Sequence, residues 1–393
     1  MSTPPTARPG PLHVAVNARF LLPGLELEGI GRFSYETLRR LVAQHPAVTF
    51  HFLFDRPHDP RYVFGPNVVP HVLAPPARHP LLWVAWFEGA VALWLARHRP
   101  AVFLSPDGFT TLSTRVPRVT VLHDLAFEHF PADVGPLVRG YYRFFTPRFA
   151  RASARLVAVS EATKADLVRT YGLAPARISV AYNAPAAQFQ PQPAAVQRET
   201  RRRFSHGHPY FLFVGALQPR KNLGNLLRAF DAFKTAGGPA AATAQLLIVG
   251  RRAWQAGPIL DAYRQMRHQS AVHFTGRVAD AELAGLYAAA LAAVYVPYFE
   301  GFGLPIVEAQ ASGCPVLTAS VSAMPEVAGA GGALLVDPFD VAAIAAGLAR
   351  LWHEAGLRRR LVAAGTANLA RFSWARSAEV LWEAVEAAVR GAG

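Results

Sequence analysis

Short apolar or β-branched runs alternate with helical patterns through most of this chain, and they do so in two successive series. The first comprises Leu12 to Asn17, Val48 to Asp55, Ala101 to Ser105, Val119 to His123, Leu156 to Ser160 and Ile178 to Tyr182. The second comprises Tyr210 to Val214, Gln245 to Val249, Val272 to Thr275, Ala293 to Val296, Pro315 to Thr318 and Ala333 to Val336. Strands that alternate with helices predict a parallel sheet covered on both faces, so the sequence specifies two α/β halves. Between them, Asn183 to Gln197 is rich in proline, alanine and glutamine and has no apolar period, as expected of a linker. The predicted division is 1–190, 198–375 and a last helix over 376–393 that can return to the first domain. A chain of 393 residues suits two cores better than one. With 52% hydrophobic and 17% charged residues, both cores can be filled.

The formal charge of +14 favours anionic partners such as nucleotides or phospholipid. Zinc-type Cys/His spacing, a zipper and a basic stripe interleaved with aromatics are all missing from the sequence, so no nucleic-acid partner is expected. The single cysteine, Cys314, excludes an internal disulfide and fits a reducing compartment, and cytoplasmic residence is the expectation. Met1 to Pro11 reads as a short disordered tail without the order of a secretory signal. Leu81 to Ala96 is the most membrane-like stretch, but it is too short to span and contains Glu88. Its Trp83, Trp86, Phe87 and Trp94 suit core packing; the alternative is a peripheral contact with anionic lipid at the inner face of the membrane.

Ligands of open α/β sheets bind beyond the carboxyl ends of the strands, and four such places carry suggestive chemistry. Glu300-Gly301-Phe302-Gly303-Leu304-Pro305 leads into a helix of about two turns that bears Glu308 and ends at Gly313. Pro305 suits its first turn, and the backbone amides of Phe302, Gly303 and Leu304 at the positive end of the helix dipole suit a phosphate. A carboxylate on either side can accept sugar or ribose hydroxyls. Taken singly, Glu300 could be a surface acid and Glu308 a first-turn residue. The combination is more demanding.

This stretch resembles the glutamate-seven-glutamate signature of the family 4 retaining glycosyltransferases, and the resemblance spans nearly the whole chain. It implies the GT-B fold: two Rossmann-like domains with parallel sheets facing across a cleft. It also implies that Glu300 contacts the donor sugar, Glu308 the ribose, and the intervening amides the diphosphate of a nucleotide-sugar.

Gly215 to Leu223 follows the Tyr210 strand and carries Arg220 and Lys221, two cations able to neutralise a leaving diphosphate. They match the family's arginine-lysine pair, and Gly215 permits close approach of the ligand. Val119 to Asp124 ends a strand in His123, which matches a family histidine touching the donor sugar; Asp124 caps or orients. Gly29-Ile30-Gly31-Arg32-Phe33 opens a helix to about Gln44 after a long insert from Phe20 to Glu28, and Gly31 matches the family's glycine-rich loop toward the diphosphate. Ser160 caps a helix, and the Gly276-Arg277-Val278 turn offers Val278 to the base; both also have ordinary structural explanations. Asn183-Ala184 departs from the family's asparagine-glycine and receives no role.

The resemblance implies transfer of a hexosyl group, mannose favoured, from GDP-mannose or a UDP-sugar to a saccharide or lipid-linked saccharide, with retention. No clustered Asp-x-Asp or histidine ligand set lies near the predicted site, so Arg220, Lys221 and helix dipoles would meet the diphosphate charge and neither cofactor nor metal is expected. A glycoside hydrolase using Glu300 and Glu308 would leave the cationic pair unexplained. A binder of nucleotide-sugars without turnover, acting as a membrane-associated interaction protein, is the alternative from another class.

Overall fold

The computed structural model describes residues 11–22, 27, 29–251 and 257–391. The predicted tail and most of the insert before Gly29 therefore lie outside the described residues. Seven strands form the first sheet: β1 (His13–Asn17), β2 (Thr49–Phe54), β3 (Val68–Val72), β4 (Val102–Ser105), β5 (Arg118–Leu122), β6 (Arg155–Ala158) and β7 (Ile178–Val180). Six form the second: β8 (Tyr210–Val214), β9 (Gln245–Val249), β10 (Val272–Gly276), β11 (Ala292–Tyr295), β12 (Val316–Ala319) and β13 (Leu334–Val336). Their orders are β3-β2-β1-β4-β5-β6-β7 and β10-β9-β8-β11-β12-β13. Every pairing is parallel, as in β1 on β2, where Val14 faces Phe50, and β8 on β9, where Leu212 faces Leu247. Each sheet is buried on both sides, which explains the near-continuous apolar runs. This is the α/β arrangement of two Rossmann-like domains with a switch point in each sheet, at β1/β4 and at β8/β11.

The strand missing from the sequence reading is β3. It carries Pro70 and pairs only with β2, so it is an edge strand. Proline removes an amide from the ladder and is tolerated at an edge, while its presence masks the strand signal. The reading also extended the linker through Gln197, whereas Ala194–Ser205 is helical, packs on the Asp280–Ala289 helix and so belongs to the second body. The last helix, Trp374–Arg390, packs on the Gly29–Gln44 helix and on strands β4 to β7 of the first sheet. His45 stacks on Trp382 with ring centroids 3.7 Å apart, and Ser377 donates to the Tyr182 carbonyl.

The aromatic rings of the tryptophan-rich segment pack into the first domain. Trp86 and Phe87 are fully buried, Trp94 is 7% exposed, and the Trp83 indole donates to the Ala77 carbonyl at 2.8 Å. Trp86, Phe87 and Trp94 are thus core rings, while Leu81, Leu82 and Leu93 of the same segment are exposed. Glu88, which interrupts the apolar run, accepts hydrogen bonds from the amides of Leu112 and Ser113 at 2.9 Å. No helix among the described residues is long and apolar enough to cross a membrane. Because Trp86 fills the core of the first domain and also donates to the Leu73 carbonyl at 2.9 Å, Trp86→Ala should cost about 3–5 kcal/mol of stability, read as a shift in urea midpoint.

Candidate active site between the two sheets

The carboxyl ends of the central strands of both sheets meet. His123 follows β5, Arg220 and Lys221 follow β8, and Glu300 follows β11. Arg220 and Lys221 lie on a 3-10 turn, Pro219–Lys221, rather than within the helix they precede. Asn222 separates the two by adopting a left-handed φ of 60°, and its amide donates to the carbonyls of Val296 and Pro338 at 2.9 and 2.7 Å. The cations thus precede, rather than form, the first turn of the Leu223–Gly237 helix, whose positive end would oppose them.

Arg220 Nη1 donates to Glu300 Oε1 and to the Phe299 carbonyl, both at 2.6 Å. Lys221 Nζ donates to the same Glu300 oxygen and, at 2.6 Å, to the Tyr295 hydroxyl. The three charged side chains are only 12–16% exposed. Burial opposes the charge on Glu300, but Arg220 and Lys221 outweigh it and hold the carboxyl below the ordinary glutamate value. Burial also opposes the charge on Arg220, and Glu300 with Asp124 more than compensates. For Lys221 burial prevails and its pKa is lowered despite Glu300.

His123 stands on the first domain's side. Burial lowers its pKa, which favours the neutral ring, and its Nε2 lies 2.8 Å from the Pro106 carbonyl. A neutral ring that donates from Nε2 leaves Nδ1 as an acceptor. Phe33 packs edge-on to it at 5.3 Å. Asp124 caps the following turn through a 2.9 Å bond from the Ala126 amide.

Gly303 has φ 100°, a conformation that glycine adopts without strain, and no side chain caps the Leu304–Ala311 helix that begins after it. Phe302 is buried, with its ring against Tyr182 and Phe372, so its side chain belongs to the core and only its backbone can face a ligand. Glu308 is buried on the helix and accepts from the Tyr287 hydroxyl at 3.1 Å. Gly31 lies in the first turn of its helix, where an added Cβ would come within 3.1 Å of the Phe20 carbonyl. Gly215 follows β8, and its carbonyl lies where a Cβ on Gly250 would come within 1.9 Å of it. Val278 follows β10 at the sheet edge, in the loop before the Asp280–Ala289 helix, and is half-buried against the core.

Burial raises the Glu308 carboxyl to about 7 from 4.5, against the opposing effects of Arg32 and Tyr287. Because this folded-state value lies above the unfolded one, the folded chain holds the proton longer. Stability is therefore expected to fall as pH rises from 4.5 to 7, by about 3 kcal/mol, and Glu308→Gln should flatten that slope in pH-dependent denaturation.

Sequence reasoning missed the contacts that join the two bodies. Ser160 Oγ and Thr163 Oγ1 donate to the Gly301 carbonyl at 2.6 and 3.1 Å. Glu326 accepts from the Glu161 and Ala162 amides at 2.8 Å, capping a helix of the other domain. Arg32 pairs with Asp280 at 2.6 Å. A Cβ on Gly301 would fall 1.7 Å from the His123 carbonyl oxygen, so the loop bearing Glu300 touches the loop bearing His123, backbone to backbone. The glycines and the serine cap were visible signals, but their partners were not.

Comparison with known proteins decides the family. Residues 27–185 match the family model "Glycosyltransferase Family 4" and residues 197–368 match "Glycosyl transferases group 1". The chain belongs to the family 4 glycosyltransferases. O-antigen chain mannosyltransferase B of Escherichia coli is 28% identical over 368 residues, covering 88% of this chain and 93% of that one. O-antigen chain mannosyltransferase RfbU of Salmonella typhimurium is 26% identical over 70% of this chain and 72% of its own. Among solved structures, HepE of Anabaena with UDP and glucose superposes with a TM-score of 0.72 at 15% identity, over 95% of this chain and 99% of that one. Sucrose-phosphate synthase of Thermosynechococcus elongatus gives 0.75 at 18%, over 95% and 98%. At those identities the likeness is one of fold, and that fold is GT-B. The glycosyltransferase thus carries Glu300, Arg220, Lys221 and His123 at the meeting point of its two domains.

Proposed function

We propose that this glycosyltransferase moves a hexosyl group, mannose favoured, with retention, from a GDP- or UDP-sugar to a saccharide or lipid-linked saccharide. The observation that supports this best is the buried Glu300–Arg220–Lys221 triad beside His123. Arg220 and Lys221 release Glu300 to hold the donor diphosphate, assisted by the amides of Phe302, Gly303 and Leu304 at the helix start. Glu300 then accepts donor-sugar hydroxyls opposite His123 Nδ1, and Glu308 accepts those of the ribose. Gly31 and Gly215 let the diphosphate approach the backbone, and Val278 borders the base. The acceptor oxygen attacks C1 on the face from which the C1–O bond to phosphate breaks, and the departing phosphate oxygen takes the acceptor proton. The preference for mannose follows the names of the relatives.

The test is calorimetry of the metal-free protein with GDP-, UDP- and ADP-sugars, followed by transfer to candidate acceptors and NMR of the product anomer. Binding of one donor and a product of unchanged configuration, with EDTA without effect, is the expected result. An inverted product would overturn retention; loss of activity in EDTA restored by Mg²⁺ would overturn the metal-free assignment. Donor binding with neither hydrolysis nor transfer would leave a nucleotide-sugar binder.

A further inference from the structure

Asp107 follows β4 beside β1, at the switch point of the first sheet, and no role above uses it. We propose that Asp107 is a positioning residue for transfer: it fixes the 105–109 turn so that the Pro106 carbonyl takes the Nε2 proton of His123 and Nδ1 stays an acceptor for a donor-sugar hydroxyl. This rests on the reading of the site as a donor site in which His123 meets the sugar.

The turn is tied down through both oxygens of one carboxylate. Asp107 Oδ1 accepts from Asn17 Nδ2 at 2.8 Å and from the Phe109 amide at 3.0 Å. Oδ2 accepts from Arg19 Nε and Nη2 at 3.3 and 3.2 Å. Asn17 ends β1, and its side chain also donates to Ser105 Oγ at 3.0 Å and accepts from the Arg19 amide at 3.2 Å, so the turn after β4 is anchored to the strand beside it. Gly108 completes the turn at φ 84°, which glycine adopts without strain. The Pro106 carbonyl belongs to the planar peptide that ends on the Asp107 nitrogen. Holding Asp107 therefore aims the oxygen that lies 2.8 Å from His123 Nε2.

Asn17, Arg19, Ser105 and Asp107 are all buried, so none of them acts by touching a ligand. Stability alone is a poor reason for the Arg19–Asp107 pair, whose side chains are 6% and 1% exposed. A buried ion pair adds little over apolar side chains of the same volume. The rings of Phe109, Phe20, Phe87 and Trp83 already surround the Arg19 guanidinium at 4.3–5.9 Å, and an apolar residue would pack there without a counter-ion. What an apolar pair cannot supply is one fixed direction for the Pro106 carbonyl. His123 needs it, because burial keeps the ring neutral and the partner of one nitrogen then decides what the other can do. His123 Nδ1 has no hydrogen-bond partner among the described residues, and Phe33 holds the ring edge-on at 5.3 Å.

The test is nitrogen-15 NMR of histidine-labelled protein, with the His123 signals assigned by their absence from His123→Gln, alongside kinetics with the donor found by calorimetry. Asp107→Asn leaves Arg19 buried without its counter-ion, so the double substitution Arg19→Met with Asp107→Asn is measured beside it and decides if the single variant does not fold. Wild type should show a neutral His123 with a slowly exchanging Nε2–H. In the variants that protected signal should vanish and kcat should fall by about tenfold or more, with the Kd of the nucleoside diphosphate alone within about twofold of wild type. A purely structural role would leave the His123 signal as it is. A protected Nε2–H retained in the double variant would overturn the proposal, as would a wild-type proton on Nδ1 or an unchanged kcat once the signal is lost. Absence of binding to every nucleotide-sugar would remove the donor reading and the role in transfer with it, whatever the His123 signal shows.

Discussion

Arg220→Ala should lower kcat/KM by about a thousandfold, because a preorganised cation aimed at developing phosphate charge contributes most where water is excluded. Arg220 Nη1 holds both Glu300 and the Phe299 carbonyl, so its loss also frees the Glu300 loop to wander. Lys221 remains bonded to Glu300, which keeps that carboxylate from being buried without a counter-ion. Stability should therefore fall by less than the ~3–5 kcal/mol that follows when a buried charge is left without a partner. Arg220→Lys should recover little, since a point-charge ammonium cannot offer a diphosphate the planar, bidentate fork of a guanidinium. Steady-state kinetics with the identified donor check this, and a loss below tenfold would remove Arg220 from the diphosphate site.

Gly301→Ala is the second large effect. The new methyl would sit 1.7 Å from the His123 carbonyl oxygen and 3.0 Å from Asp124 Cβ, and neither backbone can yield without moving its domain. The closure contacts of Ser160 and Thr163 on the Gly301 carbonyl would part together with it. The reacting groups would then be misplaced by an ångström or more, which is worth about a hundredfold in rate. Both domains should keep their folds. Circular dichroism unchanged from wild type, a larger radius of gyration in X-ray scattering and a hundredfold drop in transfer are expected together. Full activity would show that the two loops separate during turnover.

Much of this was legible in the sequence. All six strands of the second sheet and six of the first were marked by apolar runs, because parallel strands buried on both faces leave little ambiguity. β3 was hidden by Pro70 at the edge. The elements bearing Glu300, Glu308, Arg220, Lys221 and His123 could be placed because each follows a strand or opens a helix, where the pattern changes abruptly. That Glu300 Oε1 is shared by Arg220 and Lys221 could not be read, since some eighty residues separate them and no local period links them. The same holds for Glu326 capping a helix in the other domain. The raised Glu308 carboxyl depends on Tyr287, Arg32 and depth of burial, none of which its helix encodes.

The return of the Trp374–Arg390 helix to the first sheet makes the N-terminal body discontinuous in sequence. Its strands are complete at Val180, yet the helix that covers the β4–β7 side and supports Gly29–Gln44 is made about 190 residues later. At ordinary rates of synthesis that is a delay of about ten to forty seconds. During it the second domain can fold as a self-contained unit while the first, earlier on the ribosome, waits with an apolar face uncovered. The domain that is translated first is thus the one that matures last.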